Sequence, residues 1–264
     1  DQLRVRIKNS SQLQSLVASD EGISPTEWQR SRYPAEFRDK IEVIHEGVDT
    51  GIVRPDATAW VEINGQRMRA GEEIVTYVAR NLEPYRGFHS FIRSLPRLQA
   101  LRPDARVILV GGEDVSYGKR LPEGQTYRQR YCAEVQDRVD WSKVFFVGKL
   151  AYADYLKVLQ VSAAHVYLTY PFVLSWSMLE SMAAGCLLVA SDTTPVREVI
   201  EDGRDGLLVD FFDHEALATR LAEVLAEPER FRPLREQARR KIVAEYDLAT
   251  VCLPKMLAKL KGGA

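Results

Sequence analysis

The chain is poor in cysteine, and the three it has, Cys132, Cys186 and Cys252, show no paired spacing. That excludes a disulfide-stapled scaffold, and a reduced compartment is the simple reading. Long apolar runs are missing, so no stretch is suited to cross a bilayer as a helix. No secretory leader pattern is present. The chain begins at Asp1 rather than at a methionine, and we expect it to be an excerpt of a longer parent. An excess of charge is also missing, because 36 Lys+Arg stand against 37 Asp+Glu for a formal net charge of -1. This balance argues against a bulk nucleic-acid binder while leaving room for a local basic pocket. His45, His89, His165 and His214 are scattered without metal-ligand spacing, so no metal site is expected. No G-x-G-x-x-G fingerprint, no G-x-S-x-G elbow and no Cys-His arrangement occurs.

What is present is an ordinary globular composition, 45% apolar and 28% charged over 264 residues. That suffices for one large domain or two small ones. From about Ile74 onward, short β-branched runs alternate with amphipathic stretches. "EIVTYVAR" ending at Arg80, "ARVILVGG" (105–112), "KVFFVG" (143–148), "HVYLTY" (165–170), "CLLVAS" (186–191) and "GLLVD" (206–210) read as strands. Between them, Phe88, Phe91, Ile92, Leu95 and Leu98 recur at helical spacing, as do Leu217, Leu221, Val224 and Leu225. Helical segments are also expected at about 175–184 and 195–200. The strands are continuous apolar runs, which is what a sheet covered by helices on both faces requires. The pattern predicts an α/β, Rossmann-like, doubly wound parallel sheet of about six strands. Ligands in such folds bind beyond the carboxyl ends of the strands.

The first part of the chain differs. It reads as one or two helices and a Ser-Pro-Thr turn, then a strand over "KIEVIHEGVD" (40–49). Asn64-Gly65 between short alternating runs signals a hairpin. We place a domain boundary near residue 45. The segment after Val209 is charged and helical, with a break around Asp247–Pro254.

Candidate chemistry falls on strand ends. Arg80 closes the first strand of the sheet, and Arg86 precedes a helix starting near Gly87. Two guanidinium groups and free helix-start amides would compensate a diphosphate; solvated loop arginines are the bland alternative. Gly111-Gly112 permits close backbone approach. In "TYPFVLSWSMLESMAAGC" (169–186), Glu180 lies inside a helix that is apolar nearly all round. A buried carboxylate needs partners. Ribose hydroxyls would serve, and so would a capping box with Ser177. Thr194 before Pro195 reads as a helix cap, and Thr193, Thr194 and their amides could face a phosphate. Trp28, Trp60, Trp141 and Trp176 read as packing residues.

Taken together, these stretches resemble the C-terminal half of retaining glycosyltransferases of family 4, which have the GT-B architecture. The resemblance runs from about His45 to the end. "IHEGVD" is similar to the family's linker motif, with Glu46 where asparagine is usual. "ARNLEPYRG" resembles its phosphate-binding motif, with Arg80 at the arginine and Arg86 at the lysine position. "SMLESMAAG" resembles its glutamate helix, with Glu180 at the ribose-binding position, and "VASDTTPVREVIEDGRDGLLV" resembles the stretch after it. One departure matters. The family's first glutamate, eight positions before the second, is Phe172 here, and phenylalanine accepts no hydrogen bond.

The resemblance implies one half of a GT-B fold. Residues 1–44 would be the tail of an acceptor domain and hinge, and 45–264 a donor domain with a terminal crossing helix. Arg80, Arg86 and Glu180 would be the catalytic set. Gly111, Gly112, Phe172, Val173, Leu174, Ser175, Thr193 and Thr194 would line the donor. The donor would be a UDP- or GDP-sugar, with no metal or other cofactor required. Partners would be a saccharide or other hydroxyl acceptor and the rest of the parent chain. The implied location is cytoplasmic, with peripheral association at the inner face of a membrane left open. A non-catalytic nucleotide-sugar-binding scaffold and a sugar-nucleotide epimerase are the alternatives.

Overall fold

The computed structural model describes residues 2–262. The first part folds as α1 (Gln2–Ala18), β1 (Gly22–Ser24), α2 (Glu27–Ser31) and β2 (Ile41–Val43). β1 and β2 pair in parallel, apart from the main sheet. The strand expected over 40–49 is therefore only three residues long. The chain beyond it bonds elsewhere: Val48 N–H donates to Tyr246 C=O at 2.8 Å, and Leu248 N–H donates to Val48 C=O at 2.9 Å. Asn64 (φ 52°) and Gly65 (φ 75°) turn the hairpin of β3 (Trp60–Ile63) and β4 (Gln66–Arg69), as expected of a tight two-residue loop.

The alternating segment runs β5 (Ile74–Asn81), α3 (Phe88–Leu101), β6 (Arg106–Gly112), α4 (Tyr127–Glu134), β7 (Val144–Gly148), α5 (Tyr152–Gln160), β8 (Ala164–Tyr167) and α6 (Trp176–Ala183). It continues with β9 (Leu187–Ser191), α7 (Thr194–Arg197), β10 (Leu207–Val209), α8 (His214–Ala226), α9 (Pro228–Glu245) and α10 (Leu253–Gly262). The six strands lie in the order β10-β9-β8-β5-β6-β7, and every pairing is parallel. The chain winds outward from β5 through β6 and β7, then returns to place β8 on β5's other side. That reversal opens a crevice beyond the carboxyl ends of β5 and β8, the usual ligand position in a doubly wound sheet.

Both sheet faces are covered, which explains why the strands are apolar without alternation. On one face Val75, Tyr77, Val107 and Leu109 pack against Phe91, Leu95 and Leu98 of α3 and Leu217 and Leu221 of α8. On the other, Leu188 and Ala190 pack against Leu156 and Leu159 of α5, Met178 and Met182 of α6, and Ile242 of α9. Fully burying one such side chain contributes about 1.5–3 kcal/mol. His165 sits in the sheet centre, its Nδ1 2.8 Å from Thr76 Oγ1. Burial holds its pKa down at about 3, so it stays neutral and structural.

The N-terminal part is tied to the sheet domain by a carboxylate. Glu198, just after α7, accepts from the backbone N–H groups of Glu27 (2.6 Å) and Trp28 (2.9 Å) at the start of α2. Among the described residues no helix is long and apolar enough to cross a membrane.

Candidate functional site

The turn after β5 sets the geometry of the crevice. Pro84–Arg86 makes a short 3-10 turn, and Gly87 follows at φ 70°. A Cβ on Gly87 would stand 2.2 Å from Leu168 Cβ. Only glycine lets this turn lie against the end of β8. Arg86 is thereby laid across the crevice. Its Nη1 donates to Thr169 Oγ1 (3.0 Å) and Val173 C=O (3.2 Å) and approaches Tyr167 Oη at 3.5 Å. Tyr77 Oη donates to the Arg86 carbonyl at 2.7 Å, fixing its backbone.

The two arginines differ in state. Arg86 is half-buried and already oriented by neutral acceptors. Arg80 is exposed and makes no hydrogen bond or ion pair within the described residues. At the helix start after Gly87, Phe88, His89 and Ser90 are all buried. His89 packs its ring between Tyr131 and Phe211, and burial holds its pKa down at about 4.

Glu180 is placed by α6 and held by α5. Tyr152 Oη donates to its Oε1 at 2.8 Å and Tyr155 Oη to its Oε2 at 2.7 Å. The capping box does not form. Ser175, not Ser177, is the residue ahead of the helix; it makes no side-chain cap bond, and its hydroxyl lies 2.9 Å from that of Ser177. Burial first and the Glu180 carboxylate second push both tyrosine hydroxyls to higher pKa, so both remain donors. A carboxylate offers about four lone-pair sites. Two are used here, leaving one on each oxygen for a further donor. α6 is also less enclosed than its composition predicts, since Trp176 is 59% exposed. Trp60 is likewise exposed, stacked by Arg67 at 4.2 Å.

The loop before α6 joins the arginine. Phe172 lies under the Arg86 guanidinium at 5.3 Å. Val173 supplies a carbonyl, Leu174 is buried behind it, and Ser175 N–H donates to Tyr167 Oη at 2.9 Å. A Cβ on Gly112 would fall 2.6 Å from Asn81 Oδ1 and 2.7 Å from Lys149 Cε, whereas one on Gly111 would meet Ala79 C=O at 2.6 Å. Lys149, exposed beside Gly112, escaped the sequence reading; its signal is a Gly-Lys pair closing β7. Asn81 Oδ1 and Thr193 Oγ1 are buried with no hydrogen-bond partner. α7 begins at Thr194, so Thr193, not Thr194, stands at the cap position, and it makes no side-chain cap bond. No hydrogen bond joins Thr193 or Thr194 to Arg86 or Glu180.

Contacts therefore assemble Arg86, Phe172, Val173 and Ser175. Glu180 follows one turn further along α6, and Arg80 and Gly112 sit at neighbouring strand ends. A 420 Å³ groove lined by Leu13, Trp28, Tyr33, Phe172 and Val173 leads from this point towards α1 and α2. A 640 Å³ cavity elsewhere, between the β3–β4 hairpin and α5, touches none of these residues. Among the described residues no three of His, Cys, Asp and Glu converge as metal ligands.

A family model described as glycosyl transferases group 1 matches residues 60–241. A second, glycosyl transferase family 4 group, matches residues 1–53. Alpha-maltose-1-phosphate synthase of Mycolicibacterium smegmatis is 29% identical over 234 residues, 83% of this chain and 56% of that protein. Glycogen synthase of Mycobacterium tuberculosis is 26% identical over 212 residues, 80% of this chain and 46% of that protein. The chain thus spans about half the length of these curated relatives. Among solved structures, sucrose-phosphate synthase of Thermosynechococcus elongatus superposes with a TM-score of 0.77 at 22% identity, covering 100% of this chain and 63% of that one. Anabaena HepE in complex with UDP-glucose superposes at 0.72 and 16% identity, covering 93% and 64%. These structural likenesses establish a shared GT-B-type fold.

Proposed function

The chain belongs to the glycosyl transferases group 1 family, and from that premise we propose that it is the donor-binding part of a retaining glycosyltransferase. The substrate is a nucleoside-diphosphate sugar, with UDP and GDP the leading bases, and the second substrate is an acceptor hydroxyl. Arg80 and Arg86 hold the diphosphate. Glu180, oriented by Tyr152 and Tyr155, takes the ribose hydroxyls. When the sugar–phosphate bond breaks, negative charge grows on the departing diphosphate. The Arg86 guanidinium, already oriented by neutral acceptors, stabilises that charge with little reorganisation, and exposed Arg80 adds its charge on binding. Gly111, Gly112, Val173 to Ser175, Thr193 and Thr194 complete the donor contour. No metal is assigned a role.

The observation that carries this reading is the position of Arg86, Ser175 and Glu180 around the β5–β8 crevice. Residues 1–44 are assigned to the acceptor side and hinge, and 45–264 to the donor domain. The groove from Phe172 to α1 supports that assignment, as an approach for an acceptor held by the rest of the parent. Three free cysteines fit a reduced, cytoplasmic setting. Peripheral association of the parent with a membrane face belongs to the same reading. Its support is Arg4, Arg6 and Lys8 interleaved with exposed Leu3, Val5 and Ile7 on α1.

Calorimetric titration with UDP, GDP and ADP tests the site. Binding of at least one is expected, and no detectable binding of any at millimolar concentration overturns the proposal. A non-catalytic binding module is the second reading, favoured by Phe172 alone. Turnover by the full-length parent that is lost on Glu180→Ala would dispose of it.

A further inference from the structure

Between β6 and α4 the chain makes a long connection, residues 113–126, with no regular structure. Connections in compact domains run to about 4–6 residues, and those much longer than ~12 usually serve a function. The first half of this one is tied down by a group the donor reading does not use. Glu83 is 1% exposed and has no cationic partner among the described residues. Its Oε2 accepts from the N–H groups of Tyr117 (3.1 Å) and Gly118 (2.9 Å), and its Oε1 from that of Ser116 (3.3 Å). Asn81 Nδ2 donates to Ser116 Oγ at 2.7 Å and adds a fourth tether. A buried carboxylate is costly unless hydrogen bonds compensate it, and here backbone amides alone do so.

What this clamp holds in place is the Tyr117 ring. It is 41% exposed and meets Phe172 edge-on at 4.8 Å and Tyr85 at 6.4 Å. Tyr85 and Phe172 are themselves 6.1 Å apart. The Arg86 guanidinium stands 5.8 Å from Tyr117 and 5.3 Å from Phe172. Rings from three separate loops therefore surround the arginine assigned to the diphosphate. Among the described residues no carboxylate forms an ion pair with Arg86, and Glu83 is occupied by amides.

We propose that Tyr117, held by Glu83 against Phe172, forms an apolar wall that selects the hexosyl end of the donor. This deepens the donor reading and rests on it. The sugar bound there is gripped through its C–H face rather than through hydrogen bonds to its hydroxyls. Tyr117 is a specificity-determining residue, and Glu83 is a positioning residue. A hydroxyl facing the ring face rather than Tyr117 Oη or Arg86 would lose water and gain no strong hydrogen-bond partner, so the wall discriminates among epimers.

The test uses the 264-residue chain and whichever of UDP, GDP and ADP it binds most tightly. Its glucose, mannose and N-acetylglucosamine conjugates are then titrated, and the tightest becomes the probe. Tyr117→Ala is expected to weaken the conjugate at least fivefold, leave the free diphosphate within twofold, and flatten the ranking of the three sugars. Tyr117→Phe keeps the ring and should behave as the parent chain. Equal loss for conjugate and diphosphate, or no loss for either, overturns the sugar role. Glu83→Gln places an amide N–H against one of the three backbone donors. Hydrogen exchange at Tyr117 and Gly118 should then accelerate at least tenfold, without any ligand present. Unchanged exchange in a folded Glu83→Gln protein overturns the positioning role. If no diphosphate binds the parent chain, the donor reading fails and the sugar role falls with it. The exchange measurement still decides the clamp.

Discussion

Replacing Glu180 by glutamine keeps the shape of the side chain and removes its charge. Both carboxylate oxygens now accept a tyrosine hydroxyl, at 2.8 and 2.7 Å. Glutamine retains one acceptor oxygen; its NH₂ must instead donate to a tyrosine oxygen, which obliges that hydroxyl to turn away. Two hydrogen bonds to a charged acceptor are then exchanged for neutral ones, and the stability cost is on the order of 1–3 kcal/mol. Recognition of the ribose suffers too. A hydrogen bond to a charged acceptor contributes roughly 1.5–3 kcal/mol, which corresponds to about a ten- to hundredfold loss of affinity. The loss should be the same for a nucleoside and for its diphosphate, because both carry the ribose, while inorganic pyrophosphate should bind unchanged. Tyr155→Phe should give a smaller loss of the same kind, since Glu180 keeps its charge and loses one guide. Calorimetry with the three ligands, paired with melting curves, checks all of this. A Glu180→Gln protein that melts lower yet binds nucleoside and diphosphate as before would refute the ribose assignment and leave Glu180 a purely structural residue.

Arg80→Ala should weaken nucleoside diphosphate binding about ten- to hundredfold, the value of one or two charge-assisted bonds, with nucleoside binding and melting temperature unchanged. Equal loss for both ligands in calorimetry would place Arg80 away from the phosphates. Gly87→Ala must accommodate a Cβ 2.2 Å from Leu168 Cβ at φ 70°; strain and overpacking together should cost about 2–5 kcal/mol in chemical denaturation. His89 has a folded pKa lowered by burial to about 4, against an unfolded value near 6.5. Its neutral form therefore stabilises fully above about pH 6.5, and that stability is lost as pH falls towards 4, by at most about 3 kcal/mol. His89→Phe should flatten the stability profile across this window, and an unaltered profile would contradict the assignment. Asp247 is held down at about 2 by the hydroxyls of Thr50 and Thr250. Its contribution is present above about pH 4 and disappears towards pH 2, so acid unfolding of Asp247→Asn should show a shallower slope there.

Much of the fold could be read from residue patterns because parallel strands buried on two faces have no polar alternation to confuse them. All six predicted runs lie in the sheet. The segment 40–49 was harder, because its backbone partner, Tyr246, lies far away in sequence. Local pattern carries no trace of such a bond. At the site, Arg86 stands out as a charged residue just before a helix and Glu180 as a carboxylate inside an otherwise apolar helix. Their companions do not. Tyr152 and Tyr155 look like one helical stripe until α5 is seen against α6. Glu83 reads as a solvated loop residue until three amides are found around it. Periodicity likewise locates α3 and says nothing of what covers its first turn, where Phe88, His89 and Ser90 are buried.

The backbone bonds of Val48 to Tyr246 and Leu248 have a mechanical consequence. The chain passes this point twice, once from each end of the sheet domain, and the two passages are stitched side by side. A single flexible crossing would behave as a ball joint. Two crossings fastened together behave as a hinge pin, which permits rotation about their common axis and resists twist or slip across it. Because Glu198 also fastens the start of α2 to the sheet domain beside α7, rotation about that pin would strain this second tie first. The Val48 stitch and the Glu198 tie thus fasten the N-terminal elements to the sheet domain at two separate points.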